Sequence, residues 1–223
     1  MADYIESFTP DFNLDPARCA LVVVDMQYAS GSRSHGLGRW LNERGRLDEA
    51  NYRFQRIEQV VVPGIARLLA SFRARGLRVV FVTLGPTLPD FSDAPEHMRP
   101  FFAALNNHVG TREHEILDSL KPLSGELVLR KVTQGAFASS GIERALQSLG
   151  VSQLVMTGVS TNNCVETTAR EASDRGHQVV LVSDATGTCS ESMQRLTETS
   201  FSRLWGRVMT VDEVLRVVES DLS

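Results

Sequence analysis

Short, almost uninterrupted apolar runs recur along this chain, and stretches with helical spacing lie between them. Cys19 to Val24 reads CALVVV and ends at Asp25, Leu77 to Thr83 reads LRVVFVT, and Glu126 to Arg130 reads ELVLR. Gln153 to Thr157 (QLVMT), His177 to Val182 (HQVVLV) and the strand-like Arg207 to Thr210 complete the series. Runs this short, rich in β-branched residues and apolar at successive positions, fit strands buried on both faces, the usual condition of a parallel sheet. Ile57 to Arg75 places Ile57, Val60, Val61, Ile65, Leu68, Leu69 and Phe72 on one helical face, and Gly76 stops it. Ser140 to Leu149 stops at Gly150 and Val165 to Arg175 at Gly176, and Ser190 to Leu204 and Val211 to Glu219 also read as helices. The alternation predicts an α/β chain of three αβα layers, Rossmann-like and doubly wound, around a mostly parallel six-stranded sheet. A length of 223 residues suits one domain over 1–223, with 1–17 as an N-terminal extension.

Two stretches break the rhythm. Tyr28 to Gln55 is polar and arginine-rich, and Gly85 to Arg112 carries Pro86, Pro89, Pro95 and Pro100. Both read as long irregular segments, which in such folds commonly serve as substrate loops.

Charge and cysteine usage narrow the function classes. The net charge of −4 leaves no electrostatic footprint for nucleic acid or an anionic membrane. Cys19, Cys164 and Cys189 are odd in number and widely spaced, which fits free thiols in a reducing compartment better than a disulfide framework. The start, Met1-Ala2-Asp3-Tyr4-Ile5-Glu6, is acidic and lacks the apolar core of a signal peptide, and no apolar run spans a bilayer. The expected location is the cytoplasm and the expected partner a small molecule.

In open parallel sheets, ligands bind beyond the carboxyl ends of the strands. Asp25 ends the first run, Lys131 follows the third, and Cys164 opens the helix after the fourth. Taken singly, an aspartate there reads as a cap, a lysine as solvated and a cysteine as inert packing. An acid, an amine and a thiol converging on one sheet edge form a constellation suited to nucleophilic catalysis. The helix N-terminus at Cys164 and the nearby Lys131 are expected to favour the thiolate, whose ordinary pKa is about 8.5.

Three segments occur in order: Leu21-Val22-Val23-Val24-Asp25-Met26-Gln27, then Lys131 through Gly135-Ala136-Phe137, then Thr157-Gly158-Val159-Ser160-Thr161-Asn162-Asn163-Cys164-Val165. With Ala169 to Gly176 and Ser183-Asp184-Ala185, they resemble the isochorismatase-like cysteine hydrolases. That group includes nicotinamidases, isochorismatases, and N-carbamoylsarcosine, biuret and ureidoacrylate amidohydrolases. The resemblance runs from about Arg18 to the C-terminus and is weakest over Tyr28 to Gln55. It implies Cys164 as nucleophile, Asp25 as proton acceptor and later activator of water, and Lys131 as the balancing charge. It implies an oxyanion hole from the backbone N–H groups of Ser160 and Cys164, and a cis peptide between Val159 and Ser160. Gln27, Tyr28, Phe137 and Asn163, within or beside the motifs, are the substrate-binding candidates. Family members are commonly dimeric or tetrameric, so a homodimer or homotetramer is expected.

Two departures bear on the substrate. Nicotinamidases of this group bind a metal through an Asp-x-His pair and a further histidine, whereas this chain reads Leu84-Gly85-Pro86-Thr87 after its second strand. His35, His97, His108, His114 and His177 are scattered, so no metal and no other cofactor is expected. After the first motif the chain reads Tyr28-Ala29-Ser30-Gly31-Ser32-Arg33 in place of an Asn-Asp-Phe stretch, so the pocket wall is rebuilt. The leading expectation is a hydrolase that cleaves the C–N bond of a small amide, ureide or carbamoyl compound through a thioester. An isochorismatase-type vinyl-ether hydrolase is the alternative reaction, and a non-catalytic binding protein the alternative class. Arg33, His35, Arg39, Trp40, Arg44 and Arg46 suggest either an anionic substrate or a solvated loop or subunit contact.

Overall fold

Strand β1 (Cys19–Val24) is buried along its whole length. Cys19, Leu21 and Val23 enter one core with Ile65, Leu68 and Phe72, while Ala20, Val22 and Val24 enter a second with Leu146, Val165 and Ala169. Alternate side chains of a strand face opposite ways, so a strand apolar at every position needs a helical layer on both sides. The computed structural model describes residues 4–220 and supplies both layers.

The other strands are β2 (Arg78–Leu84), β3 (Leu127–Lys131), β4 (Gln153–Val159), β5 (Gln178–Gly187) and β6 (Arg207–Met209). They form one six-stranded sheet in the order β3-β2-β1-β4-β5-β6, with every neighbouring pair parallel. The expected sheet is therefore present, and it is wholly rather than mostly parallel. The helices are α1 (Tyr28–Gly31), α2 (Gly36–Asn42), α3 (Asn51–Arg56), α4 (Val62–Ala74), α5 (Arg99–Leu105), α6 (Ile142–Ser148), α7 (Glu166–Asp174), α8 (Glu191–Leu204) and α9 (Val211–Ser220). Helices α4 and α9 bury their apolar stripes in the first core, and α5, α6, α7 and α8 contribute to the second. Among the described residues no helix is long and apolar enough to cross a membrane.

Several boundaries differ from the sequence reading. The helix expected from Ile57 begins at Asn51 and runs through a π turn (Ile57–Val61) into α4. That wide turn lies just before Pro63, which has no N–H to offer the carbonyl one turn back. Tyr28 to Gln55 is largely helical rather than irregular: α1, α2, a 3-10 turn (Leu47–Ala50) and α3 fill it. Leu41, Ala50 and Phe54 give the segment its own small core. Gly85 to Arg112 likewise folds partly into a turn at Glu96–Met98 and into α5. The expected N-terminal extension is fastened to the sheet, because Gln153 at the start of β4 bonds Asp15 N–H and Asn13 C=O. Residues 1–3 of that extension, and residues 221–223 of the expected domain, lie outside the described residues.

Candidate active site

The strand order turns at β1 and β4, since β2 and β3 lie to one side and β5 and β6 to the other. Chains leaving neighbouring strands there diverge and open a crevice at their carboxyl ends. Asp25 leaves β1 with a left-handed backbone, φ +53°, and its N–H is held by Val82 C=O at 2.8 Å. Gly158 lies beside Val24 on β4, and a Cβ there would stand 2.0 Å from the Val24 carbonyl oxygen. Only glycine allows that approach, so Gly158 fixes how closely the two strand ends meet.

Lys131 is the last residue of β3 rather than the first after it, paired with Leu84 of β2. Its side chain passes beyond the end of β2, the strand between β3 and β1, to put Nζ 2.9 Å from Asp25 Oδ2. A second bond, 3.0 Å, goes to Thr133 C=O. Lys131 is fully buried and Asp25 nearly so. The other carboxylate oxygen, Oδ1, is buried without a hydrogen-bond partner.

Cys164 lies in the π turn Thr161–Val165 that leads into α7. Its carbonyl accepts from Thr168 Oγ1 at 2.7 Å, and its thiol donates to Gln134 Oε1 at 3.2 Å. The Val159–Ser160 peptide is cis. Ser160 C=O accepts from the N–H groups of Asn163 and Val165, which folds the turn back over the end of β4. Asp25, Lys131 and Cys164, three residues from distant segments, thus meet in one crevice.

The electrostatics depart from the expectation of a resting thiolate. Burial and the Asp25 carboxylate push the Cys164 thiol up to about 12, against the opposing pull of Lys131. Burial also raises Asp25 above the ordinary carboxylate range, with Lys131 and the Cys164 thiol pulling it back. Burial works against the Lys131 ammonium, but the neighbouring carboxylate and thiol outweigh it and hold its pKa above the usual lysine value. Lys131 and Asp25 thus meet as a buried pair beside a thiol held in its neutral form, and the Asp25 carboxylate of that pair is more basic than an ordinary one.

Asp25 and Cys164 line a cavity of about 250 Å³, with Lys131 buried behind Asp25; that is below the roughly 300–1,000 Å³ usual for drug-sized ligands. Leu84, Met98, Phe101 and Leu105 contribute apolar lining, and Ser30, Arg53, Asn107, Gln134, Ser160 and Asn163 polar lining. Of the substrate-binding candidates, Asn163 and Gln27 line the cavity. The Gln27 amide, however, is engaged by Leu84 N–H and C=O and by His114 C=O, so it braces strand ends. Tyr28 and Phe137 are not among the lining residues. The Tyr28 ring is held between Arg112, whose guanidinium carbon is 3.9 Å from its centroid, and His35. Phe137 packs under Arg175 and beside His177.

The arginine cluster that suggested an anionic ligand is neutralised instead. Arg33 pairs with Glu58, Arg39 with Glu43 and Glu113, Arg44 with Glu43, and Arg46 with Glu49. Sequence reasoning missed Arg53 and Gln134. Arg53 stands four residues before Ile57 and eight before Val61, on the buried face of the helix, a signal hidden because the helix was started at Ile57. Gln134 lies inside the second motif with nothing in its local pattern to single it out. Among the described residues, no three His, Cys, Asp or Glu side chains gather as a metal site requires.

The chain matches the isochorismatase domain over residues 19–213. It is 31% identical to a ureidoacrylate amidohydrolase RutB of Variovorax paradoxus, with 88% of this chain and 80% of that one aligned. It is 33% identical to the enzyme of that name in Pseudomonas savastanoi pv. phaseolicola, over 78% of this chain and 72% of that one. Among solved structures, a cysteine hydrolase from Pseudomonas syringae pv. phaseolicola superposes with a TM-score of 0.79 at 23% identity, covering 95% of this chain and 97% of that one. An N-carbamoylsarcosine amidase from Thermoplasma acidophilum superposes with a TM-score of 0.65 at 25% identity, covering 87% and 97%. The domain match over most of the chain and this degree of identity lead to one assignment: the chain belongs to the isochorismatase family and is a hydrolase related to amidohydrolases.

Proposed function

We propose that this protein hydrolyses a non-peptide C–N bond of a small amide, ureide or carbamoyl compound through a thioester on Cys164. The observation that carries this reading is the unpartnered Asp25 Oδ1, buried in the crevice that holds the Cys164 thiol, while Lys131 occupies the other oxygen. A buried carboxylate oxygen with no donor is costly to maintain. Here it is a ready acceptor for one proton. Reorienting the S–H bond from Gln134 toward Oδ1 lets the thiol proton pass to Asp25 as Sγ attacks the carbonyl carbon. The negative charge moves to the substrate oxygen, where the backbone N–H groups of Ser160 and Cys164 receive it. Asp25 then returns the proton to the departing nitrogen, and ammonia or an amine leaves. Water attacks the thioester with Asp25 again taking the proton, the acid is released, and the thiol is restored. Lys131 keeps its charge throughout and holds Asp25 ionised between steps.

The names of the relatives support amide rather than vinyl-ether chemistry, and a ureido acid is the first substrate class to assay. The reading also includes a reducing cytoplasmic setting, where the thiol stays free. The test is ammonia release from a panel of ureides, carbamoyl amino acids and carboxamides. Cys164→Ala and Cys164→Ser are expected to retain the fold and lose turnover by at least about a thousandfold. Wild-type turnover in Cys164→Ala would refute the mechanism.

A further inference from the structure

Among the described residues, Arg53 is the one buried arginine, 8% exposed, and it lines the cavity. Its bonds go to neutral oxygens: Nε and Nη2 to Ser30 C=O at 3.3 and 3.1 Å, and Nη1 to Ser160 Oγ at 2.7 Å. No carboxylate among the described residues pairs with it, whereas the exposed and half-buried Arg33, Arg39, Arg44 and Arg46 all have one. A buried guanidinium without a counter-charge is expensive unless an anion joins it. Its five N–H groups exceed the three bonds just described, so it keeps donors for a further acceptor. Ser160 ties the site together, because its side chain holds Arg53 and its own position in the chain follows the cis peptide at the end of β4.

We propose that Arg53 is the anion-binding residue of this pocket and receives the carboxylate of a short ureido or carbamoyl acid whose C–N bond lies at Cys164. The inference rests on the amidohydrolase reading for the reaction but not for the binding of the anion. Because Arg53, bonded to Ser160, lines the same cavity of about 250 Å³ as Cys164, the carboxylate and the scissile bond are separated by only a few carbons. The apolar lining residues Leu84, Met98, Phe101 and Leu105 suit that carbon chain. An arginine suits the role better than a lysine, because its planar fork can grip a carboxylate while remaining bonded to Ser30 and Ser160.

The experiment compares N-carbamoylglycine, N-carbamoyl-β-alanine and γ-ureidobutyrate with the neutral alcohols in which CH2OH replaces the carboxylate. Ammonia release is measured for wild type, Arg53→Lys and Arg53→Gln, with thermal melts as a check on folding. Binding of the same compounds to Cys164→Ala is measured by calorimetry, with and without Arg53→Gln. The expected result is that at least one acid exceeds its alcohol in kcat/KM. Arg53→Gln then lowers kcat/KM for that acid by about a hundredfold or more, mainly through KM, and lowers it for the alcohol at least about tenfold less. Arg53→Lys keeps part of the preference for the acid. Equal treatment of acid and alcohol by the wild type in both assays overturns the proposal, whether or not Arg53→Gln folds. A loss of kcat shared equally by acid and alcohol also overturns it, since Arg53 would then act by positioning Ser160. If nothing is hydrolysed but the Cys164→Ala protein still binds an acid over its alcohol in an Arg53-dependent way, the anion site stands and the amidohydrolase reading fails.

Discussion

Replacing Lys131 with methionine probes the buried pair at the centre of the site. The lysine side chain is 0% exposed, the Asp25 side chain 4%, and they meet at 2.9 Å. Removing one member of such a pair costs about 3–5 kcal/mol, because the other charge stays buried without compensation. Methionine keeps much of the chain length, so little of the loss comes from a cavity. The loss must depend on pH. Burial already raises Asp25, and Lys131 is the first of the groups that pull it back. Without Lys131 the carboxyl escapes the penalty by taking a proton. A carboxyl whose folded pKa lies above its unfolded value of about 3.9 contributes stability below that value and loses it as pH rises through the folded pKa. The unfolding free energy of the variant, relative to wild type, should therefore fall by up to about 1.4 kcal/mol per pH unit across that window. Urea melts at about pH 5 and about pH 8 test this, with a small difference from wild type at the lower pH and the full 3–5 kcal/mol at the higher. The double variant Asp25→Leu/Lys131→Met should recover most of the loss, since an apolar pair can replace a buried ion pair at little cost, yet be inactive. Equal destabilisation of Lys131→Met at both pH values would refute the assignment of Lys131 as the charge that keeps Asp25 ionised.

Alkylation of Cys164 by iodoacetamide gives a second test, and it requires a Cys189→Ser background. Cys189 is exposed in the turn before α8 and would be open to the reagent as well, while Cys19 is buried with its thiol pushed up to about 12. Asp25→Asn should move the alkylation midpoint of Cys164 to lower pH while turnover collapses, because the carboxylate both raises the thiol and accepts its proton. Lys131→Met should move that midpoint up, and an unshifted profile in either variant would contradict the coupling. For assembly, the proposal of a homodimer or homotetramer predicts that sedimentation at micromolar concentration finds no monomer. Phe101, exposed at 42% and also part of the cavity wall, is a residue that a neighbouring copy would be expected to cover.

The parts of the fold legible in the sequence were those where one physical demand dominates. CALVVV has to be a doubly buried strand, and a strand of that kind brings Asp25 to the carboxyl edge of a parallel sheet. The same reasoning located the end of β4, and hence Cys164; β3 is an edge strand with Val128 and Arg130 exposed, so its run ELVLR is not buried on both faces, yet it still ends at Lys131. Tyr28 to Gln55 was not legible, because its short helices are held by a local core of Leu41, Ala50 and Phe54 and by surface ion pairs rather than by a long apolar stripe. The ionisation of Cys164 was misjudged for a related reason. A helix N-terminus and a lysine are visible in sequence, but the depth of burial that outweighs them is a property of the packed molecule. Arg53 was lost among its neighbours, and only the fold separates the arginine that faces the cavity from those that face glutamates.

The central claim is the thioester, and the most direct measurement is intact-protein mass spectrometry of acid-quenched reactions, sampled through a single turnover with the best acid substrate. The account predicts a transient adduct equal to the acyl group of the substrate, mapped to Cys164, released by hydroxylamine and missing from Cys164→Ala. Complete conversion of substrate with no adduct on Cys164 at any time point, accompanied by undiminished turnover in Cys164→Ala, would contradict it.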